Sequence, residues 1–381
     1  MHILIAPNAF KNSLSAADAA RAIEAGLHKS KLSCTTTCFP IADGGDGTGP
    51  LIIEKCGGQI VQTQVHDPLG RLITSQFGLI DNRKTAVIEM ADASGLRLLK
   101  KEELNPLMAS SVGTGELIKY ALDEGVNKIL IAMGGSATVD GGCGILGALG
   151  IRFFNSNNER LLPVPQNLAD LARIDISQLD KRIADCEIVV LCDVNNKLLG
   201  PQGSAAVFGP QKGATPADVT KLDDFLGRLD EVTEKQYGIK LSQLKYGGTA
   251  GGAAAGLCGM INAKLVNGIE YFLQVTGFDD ELKKADILIT GEGSIDEQTV
   301  QGKGPFGVAR LAKLNSTSVI GLGGKIPIEP DDELLRYFDV LLAIGNGTTD
   351  LAEALKHAKQ NLQRTATTVG NLLNVHLSAL K

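Results

Sequence analysis

Glycine-rich segments that also carry acids or hydroxyls are the residues of this chain most able to do chemistry. Glycine supplies 45 of the 381 residues, against roughly 7% in average usage. Five such segments follow apolar runs, at residues 42–48, 134–144, 192–193 with 208–213, 247–252, and 290–299 with 302–303. Backbone N–H groups in such loops can bind phosphate oxygens, helped by the positive end of a following helix. Acids there can hold Mg²⁺ or accept a substrate proton, so the segments together predict phosphoryl transfer.

Each segment by itself also has a plain structural explanation. A Gly-Gly pair after a strand is most often a turn, and an Asp beside it is most often a helix cap. The chain has no Gly-x-x-x-x-Gly-Lys-Ser/Thr motif, which excludes a Walker-type phosphate loop. A Gly-x-Gly-x-x-Gly does occur at Gly142, Gly144 and Gly147, but no acid ends the next apolar run at 151–154 to bind a ribose. An NAD-dependent dehydrogenase is therefore a weaker alternative.

The segments need a scaffold of strands and helices to hold them. Short apolar runs occur at 3–6, 128–133, 187–192, 286–290, 318–322 and 339–344. Several of them are continuous rather than alternating, which is typical of strands buried on both faces of a parallel sheet. Ser15 with Asp18 predicts the start of a first helix, and a helical stripe from about Asp350 predicts a last helix.

A change of pattern divides the chain into two predicted domains. The runs at 59–66, 72–80 and 85–90 favour antiparallel strands, joined by turn residues. The sequence therefore predicts an α/β protein with two dissimilar α/β domains. One has a Rossmann-like parallel sheet and comprises 1–56 plus 285–381, and the other is an inserted domain at 57–284 with a β-rich start.

Composition and charge exclude several classes of function. A net charge of −6 argues against a general nucleic-acid or anionic-membrane surface, so any anionic ligand must be held by local features of the chain. The seven cysteines have no Cys-x-x-Cys spacing, which favours reduced thiols over disulfides or zinc. No apolar run is long enough to span a bilayer, and the N-terminus has no basic signal region, so we expect a cytoplasmic protein. The oligomeric state is not readable from these patterns.

The motifs resemble those of the bacterial glycerate kinases of type 1, in the same order over nearly the whole chain. The matching segments are at 6–16, 42–48, 67–70, 93–96, 113–117, 134–138 with 140–142, 192–194, 208–213, 250–252, and 290–293 with 295–296, 298–299 and 302–303. The resemblance implies ATP-dependent phosphorylation of D-glycerate with Mg²⁺. It also implies 2-phosphoglycerate as the usual product, with the 3-phosphate as an alternative.

Candidate site residues follow from the loops and from the matched motifs. Asp193 and Asp296 stand at or just after strand ends, and they are candidates for holding Mg²⁺ and for orienting the reacting hydroxyl. Lys11 and Lys212 are expected to neutralise substrate and phosphate charge. The further metal candidates are Asp43 and Asp46. The other predicted substrate or phosphate contacts are Ser13, Gly134, Gly135, Ser136, Thr138, Gly251, Gly252 and Lys303.

Five positions, including Asn12 and Val139, depart from the pattern of that family, and three of them bear most on its chemistry. Asn8 stands where an Asp is usual, Ala9 where a Ser is usual, and Ser294 where an Arg follows the glycine. Loss of an Asp removes a possible base or metal ligand, and a Ser cannot replace the bidentate anion contact of an Arg. These departures keep a non-catalytic carboxylate-binding regulator open as a second alternative.

Overall fold

The computed structural model describes residues 1–296, 299, 303–348 and 350–379. The strands are β1 His2–Ile5, β2 Thr35–Cys38, β3 Gln59–His66, β4 Leu72–Ile80, β5 Thr85–Glu89, β6 Lys128–Ala132, β7 Arg152–Phe154, β8 Arg160–Leu161, β9 Arg173–Asp175, β10 Glu187–Cys192, β11 Lys264–Asn267, β12 Ile287–Ser294, β13 Ser318–Lys325 and β14 Val340–Ala343. The helices are α1 Ala16–Lys29, α2 Thr48–Lys55, α3 Ala91–Ser94, α4 Val112–Asp123, α5 Cys143–Ala148, α6 Pro165–Leu168, α7 Ser204–Phe208, α8 Pro216–Tyr237, α9 Ala253–Ile261, α10 Gly268–Val275, α11 Phe278–Leu282, α12 Gly304–Leu314, α13 Asp332–Tyr337, α14 Leu351–Lys356 and α15 Ala358–Ala379. Each of the six predicted apolar runs overlaps a strand.

The chain divides into two compact units. Unit 1 comprises Met1–Asp43 and Ile269–Lys381, and unit 2 comprises Gly44–Gly268. The predicted divisions fall later in the sequence, after residues 56 and 284. The difference arises from packing that periodicity does not reveal. Helix α2 packs on β4 and β5 of unit 2, whereas Phe278 of α11 meets Phe39 of unit 1 edge to face, with ring centroids 5.1 Å apart.

Unit 1 contains a parallel sheet of five strands in the order β14-β13-β12-β1-β2. Every pairing in it is parallel, as the continuous apolar runs indicated. Helices α1 and α15 pack together over a core that includes Ile3, Ile23 and Leu362. The two helices approach closely at Gly26, whose carbonyl accepts a 3.0 Å hydrogen bond from the hydroxyl of Thr367. The parallel sheet confirms the Rossmann-like part of the predicted fold class.

Side chains at the starts of α1 and α14 cap these two helices. The hydroxyl of Ser15 accepts a hydrogen bond from the backbone N–H of Asp18, so the predicted cap of α1 is confirmed. Asp350 caps α14 in the same way. The predicted last helix is in fact two helices, because α14 ends at Lys356 and α15 begins at Ala358.

Unit 2 contains a six-stranded mixed sheet in the order β11-β10-β6-β5-β4-β3. Strands β11, β10, β6 and β5 are parallel, and β4 and β3 extend the same sheet in antiparallel fashion. The three β-like runs near the predicted start of the insertion are therefore real strands. A separate antiparallel sheet has the order β8-β7-β9. No helix among the described residues has the length and apolar character needed to cross a membrane.

Candidate active site

A buried lysine holds the glycine-rich loop that follows β6 of unit 2. Lys212 is only 2% exposed, and it ends a single 3₁₀ turn, Pro210–Lys212. Its Nζ donates to the hydroxyl of Ser136 at 2.8 Å and to the carbonyl of Thr138 at 2.7 Å. Three residues predicted to contact substrate or phosphate thus lie together, at the carboxyl end of β6.

The surroundings of Lys212 shift the pKa of its ammonium group. Burial lowers the pKa of Lys212 from its usual value to about 7, against the opposing effect of the Asp140 and Asp193 carboxylates. Asp193 is the first residue after β10, the strand next to β6 in the sheet, and it is half-buried. An anion bound near Lys212 would favour the ammonium form, because opposite charge stabilises it in a low-dielectric site.

Asp140 is a fully buried carboxylate that the sequence motif contained but to which no role was assigned. It accepts hydrogen bonds from the N–H and the hydroxyl of Ser111, at 2.8 and 2.7 Å, and from the N–H groups of Gly142 and Gly144, at 3.0 and 3.2 Å. Burial raises the pKa of Asp140, and these four donors oppose that rise. The carboxylate therefore ties the start of α4 to the start of α5.

The same contacts bear on the Gly-x-Gly-x-x-Gly motif. In a dinucleotide-binding fold the N–H groups of such a motif point at a pyrophosphate. Here the N–H groups of Gly142 and Gly144 already donate to Asp140, and α5 is a helix of only six residues. This local geometry disfavours the hypothesis of an NAD-dependent dehydrogenase.

Close packing explains why glycine occupies two of the predicted site positions. The N–H of Gly134 donates to the carbonyl of Gly44 at 3.1 Å, and a Cβ at Gly134 would lie 2.3 Å from the backbone N of Asp46. Gly251 has φ +70°, and its Cβ would lie 2.0 Å from the carbonyl oxygen of Thr138. These glycines allow three loops of unit 2 to meet. Their contact with phosphate stays a prediction.

Two more glycines of the predicted set adopt the left-handed backbone conformation. Gly135 has φ +71° and Gly252 has φ +83°. Gly252 directly precedes α9 as its N-cap. Both positions therefore require glycine for the backbone alone, whether or not a ligand binds there.

A group of carboxylates around one arginine lies where β5 ends. The guanidinium of Arg97 donates to Asp46 and pairs with Asp92, and Glu89 is buried with its Oε1 3.7 Å from the same guanidinium. Burial, together with a hydrogen bond and repulsion from Asp46, raises the pKa of Glu89 to about 8. Sequence reasoning selected Asp46 but missed the other three. The available signal was an acid, Glu89, at the end of an apolar strand.

In unit 1, Asp43 follows β2 and faces the beginning of α12. Its Oδ2 accepts from the side-chain amide of Asn8 at 2.9 Å and from the N–H of Gly304 at 3.3 Å. Asn8 follows β1, so this contact joins the carboxyl ends of two neighbouring strands. The departure at position 8 thus replaces a carboxylate by a donor that Asp43 uses.

Glu292 is another carboxyl group of unit 1, and unlike Asp43 it was not among the predicted site residues. It lies near the end of β12, is buried, and accepts from the hydroxyl of Thr299 at 3.0 Å. Burial raises the pKa of Glu292 to about 7, Asp43 adds to the rise, and Lys303 and Lys11 oppose it. Two predicted lysines and one predicted acid therefore act electrostatically on this one carboxyl group. Its signal in the sequence was the Gly-Glu-Gly triplet at 291–293.

The remaining predicted residues of unit 1 have local partners. The hydroxyl of Ser294 donates to the carboxylate of Asp296 at 2.8 Å, and the N–H of Asp296 donates to the hydroxyl of Thr299 at 3.0 Å. Ser13 donates to the carbonyl of Phe10 at 3.0 Å, and Lys11 is exposed. Two residues of the matched motifs, Gln298 and Gly302, lie outside the described residues.

The predicted metal ligands do not form a complete metal site by themselves. Within the described part of the chain, no group of three or more His, Cys, Asp or Glu side chains is arranged to hold a metal ion. Mg²⁺ is commonly bound by one or two carboxylates together with phosphate oxygens and water. The donors at Asp43, Asp46 and Asp193 fit that mode, and their role as ligands stays a prediction.

The fold and these groups define a class of protein. The parallel strands of the two large sheets present glycine-rich loops and carboxylates at their carboxyl ends, where this architecture binds ligands, and a buried lysine bonds to one of these loops. That combination is typical of an α/β phosphotransferase.

Comparison with known proteins shows the family. The chain belongs to the glycerate kinase family, whose model matches residues 3–374, and it is a kinase. It is 42% identical over 364 residues to a glycerate kinase of Halalkalibacterium halodurans, with 96% of each chain covered. It is 38% identical over 379 residues to glycerate 2-kinase of Escherichia coli, with 98% of each chain covered. A crystal structure assigned as glycerate kinase 2 from Salmonella typhimurium LT2 matches with a TM-score of 0.83 and 41% identity over 99% of each chain. The family predicted from the motifs is confirmed.

Proposed function

We propose that this protein transfers the γ-phosphoryl group of ATP to D-glycerate and forms 2-phosphoglycerate. The relatives of this chain are named glycerate kinases, and one of them is named glycerate 2-kinase. The observation that carries the proposal is the bond between buried Lys212 and the loop at 134–138. A buried lysine on a glycine-rich loop at a strand end is suited to phosphate, because phosphoryl transfer depends mainly on positioning and charge neutralisation.

In this proposal Lys212 and its loop bind the anionic part of one substrate. The ammonium supplies positive charge, and the polar groups of Ser136 and Thr138 fix where that charge stands. Gly251 and Gly252 contribute a neighbouring turn that follows the same loop closely. Water is kept from Lys212 by burial, which strengthens its interaction with an anion.

Mg²⁺ would be held through carboxylates and the phosphates of ATP. Asp193, which acts electrostatically on Lys212, is our first candidate ligand, and Asp46 and Asp43 are the others. When bound, the ion would neutralise charge that develops on the phosphoryl oxygens.

The acceptor hydroxyl needs a group that receives its proton. Asp296 is the candidate from the matched motif, and the hydroxyl of Ser294 holds one of its oxygens. Glu292 is a second candidate in the same unit, because burial raises its pKa to about 7, close to the value at which a base works best near neutral pH. Lys11 and Lys303, which act on Glu292, would hold the carboxylate of glycerate.

The test is an ADP-release assay with ATP, Mg²⁺ and D-glycerate, with phosphorus NMR of the product. We expect ADP release that requires D-glycerate, and a product phosphorylated at C2. A signal from the 3-phosphate alone would overturn the stated position but not the kinase activity. Saturable glycerate binding without ADP release would instead favour the non-catalytic regulator that the departures at Asn8, Ala9 and Ser294 leave open.

The roles of the two aspartates are tested by Asp193→Asn and Asp296→Asn. Each substitution keeps the size of the side chain and removes its charge, so we expect turnover to fall by about 100-fold or more. Asp224→Asn, on the exposed face of α8, is the matched control and should leave turnover unchanged. Near wild-type turnover of either test variant would remove that residue from its proposed role.

We further propose that the protein works in the cytoplasm on small molecules, without a nucleic-acid or membrane partner. A net charge of −6 and seven cysteines, all within the described residues and none in a disulfide, support this proposal.

A further inference from the structure

The loop at 44–47 provides no side-chain cap for the helix that follows it. Helix α2 begins at Thr48, and its N-cap, Gly47, has φ +92° and no side chain to accept a hydrogen bond. A serine or aspartate cap at that position would be strained, because residues with a Cβ rarely adopt such a φ. The N–H groups of Gly47 and buried Gly49 at the start of α2 therefore need an acceptor from another part of the chain.

Glu89 supplies that acceptor from the end of β5. Its Oε1 accepts from the N–H of Gly47 at 2.7 Å, and its Oε2 accepts from the N–H of Gly49 at 2.9 Å. A Cβ at Gly49 would lie 3.1 Å from Oε2, so glycine at this position leaves room for the carboxylate. Both oxygens of one buried side chain are thus used to fix the loop.

The choice of a glutamate here is costly unless it serves the loop. Glu89 is 3% exposed, and Asp46 and Asp92 are carboxylates close enough to oppose its charge. Burying a charge near like charges is unfavourable, and the pKa of Glu89 stays raised even though the N–H groups of Gly47 and Gly49 donate to its carboxyl oxygens. A purely apolar residue at the end of β5 would avoid that cost but would leave the start of α2 without its acceptor.

The loop that Glu89 holds places Asp46 against the loop at 134–138, which is proposed to bind phosphate. The backbone of Asp46 lies so close to Gly134 that no side chain fits between them. The N–H of Gly134 also donates to the carbonyl of Gly44. A shift of the 44–47 loop would therefore move both the Asp46 carboxylate and its neighbours at 134–135.

We propose that Glu89 is a positioning residue for phosphoryl transfer, which holds the 44–47 loop and so sets the place of the Asp46 carboxylate. This inference rests on the proposed function and assigns it a residue that does not itself touch the substrate. Glu89 acts through Gly47 and Gly49, and Asp46 is the group whose position matters.

The test combines hydrogen exchange with a double-mutant cycle. Glu89→Gln keeps one acceptor oxygen and places an NH₂ group against the other donor. Amide exchange in the segment 44–55 should then accelerate by about tenfold, since one of the two hydrogen bonds that the loop donates to this buried side chain is lost. Glu187→Gln, at the amino end of β10, is the matched control and should leave that segment unchanged.

Activity decides whether the loop is held for the reaction. We expect kcat/KM to fall by about tenfold in Glu89→Gln. Asp46→Asn combined with Glu89→Gln should be no worse than Asp46→Asn alone, because both changes remove the same positioned carboxylate. Effects that multiply, or wild-type exchange and activity in Glu89→Gln, would overturn the proposal.

The experiments also distinguish a failure of the proposed function from a failure of the variant to fold. If the wild-type chain does not phosphorylate glycerate, the proposed function fails, and the positioning role for that reaction falls with it, while exchange at 44–55 still reports whether Glu89 holds the loop. If Glu89→Gln does not fold by circular dichroism, Glu89→Asp takes its place. The shorter carboxylate keeps the charge but cannot reach both N–H groups, so the same exchange and activity results are expected.

Discussion

The ammonium of Lys212 lies 2.7 Å from the carbonyl oxygen of Thr138, a residue 74 positions earlier in the chain. A Cβ on Gly251 would lie only 2.0 Å from the same carbonyl oxygen. The glycine-rich segments at 134–144, 208–213 and 247–252 therefore meet at the carbonyl group of Thr138. The contact is possible because Lys212 has lost nearly all its water and Gly251 has no side chain.

Replacement of Lys212 should remove activity without unfolding the chain. Lys212→Met fills the same space but donates no hydrogen bond to Ser136 or Thr138. Loss of a fixed positive charge at transferring phosphates should lower kcat/KM by on the order of 100-fold. Lys221→Met, on the exposed surface of α8, serves as the control in the same ADP-release assay. Equal activities of the two variants would contradict a role for Lys212.

The same variant should change how stability depends on pH. The pKa of Lys212 is lowered to about 7 by burial, whereas an unfolded lysine titrates near 10.4. Between these values the unfolded chain binds one proton more than the folded chain, so the stability owed to this group rises with pH. From about pH 7 to 9, the wild type should gain on the order of 1–3 kcal/mol of unfolding free energy relative to Lys212→Met. Urea unfolding of both proteins measures this, and a constant difference would argue against the lowered pKa.

Close approach of the loops predicts opposite results for two glycine substitutions. Gly251→Ala would place a Cβ 2.0 Å from the carbonyl of Thr138 at a φ of +70°, so we expect a loss of about 2 kcal/mol or more. Gly227→Ala lies within α8 with nothing near its Cβ, and it should stabilise by about 0.5–1 kcal/mol. Melting temperatures of the two variants check both signs, and a Gly251→Ala protein as stable as the wild type would refute the packing argument.

The Asn8–Asp43 contact predicts how the family departure at position 8 is accommodated. Asn8→Asp would set two carboxylates against each other in place of a 2.9 Å hydrogen bond. Without Mg²⁺ it should lose about 1–2 kcal/mol, and more than Asn8→Ala, because repulsion is added to the lost bond. Added Mg²⁺ should restore Asn8→Asp selectively, since paired carboxylates bind the ion. Unfolding in chelator and in Mg²⁺ compares them, and equal losses would show that charge is unimportant there.

Local patterns predicted most of the fold because they report local physics. The runs at 128–133 and 187–192 are apolar throughout, as strands buried on both faces must be, and both are strands of a parallel ladder. Ser15 caps the first helix as its residue type indicated. The unit boundaries at 43 and 268 were not predicted, because they depend on which sheet α2 and α11 pack against.

Candidate site residues were predicted less evenly than the fold. The glycine-rich motifs located Lys212, Ser136 and Thr138, which the structure brings together. Glu89 and Arg97 were missed, since each lies beside an ordinary apolar run and carries no motif of its own. Gly47 lies 42 positions before its partner Glu89, and Asp46 lies 51 positions before its partner Arg97.

The sequence alone determined the α/β class, the main apolar strands and the family, because periodicity, caps and motifs are properties of neighbouring residues. Only the tertiary structure decided the lowered pKa of Lys212, the use of Asp140 as an anchor between helices, and the support of the 44–47 loop by Glu89. Each of these depends on how much water a group loses and which distant atoms replace it. The glycine-rich acidic loops were visible in the sequence, but the groups that hold them in place were not.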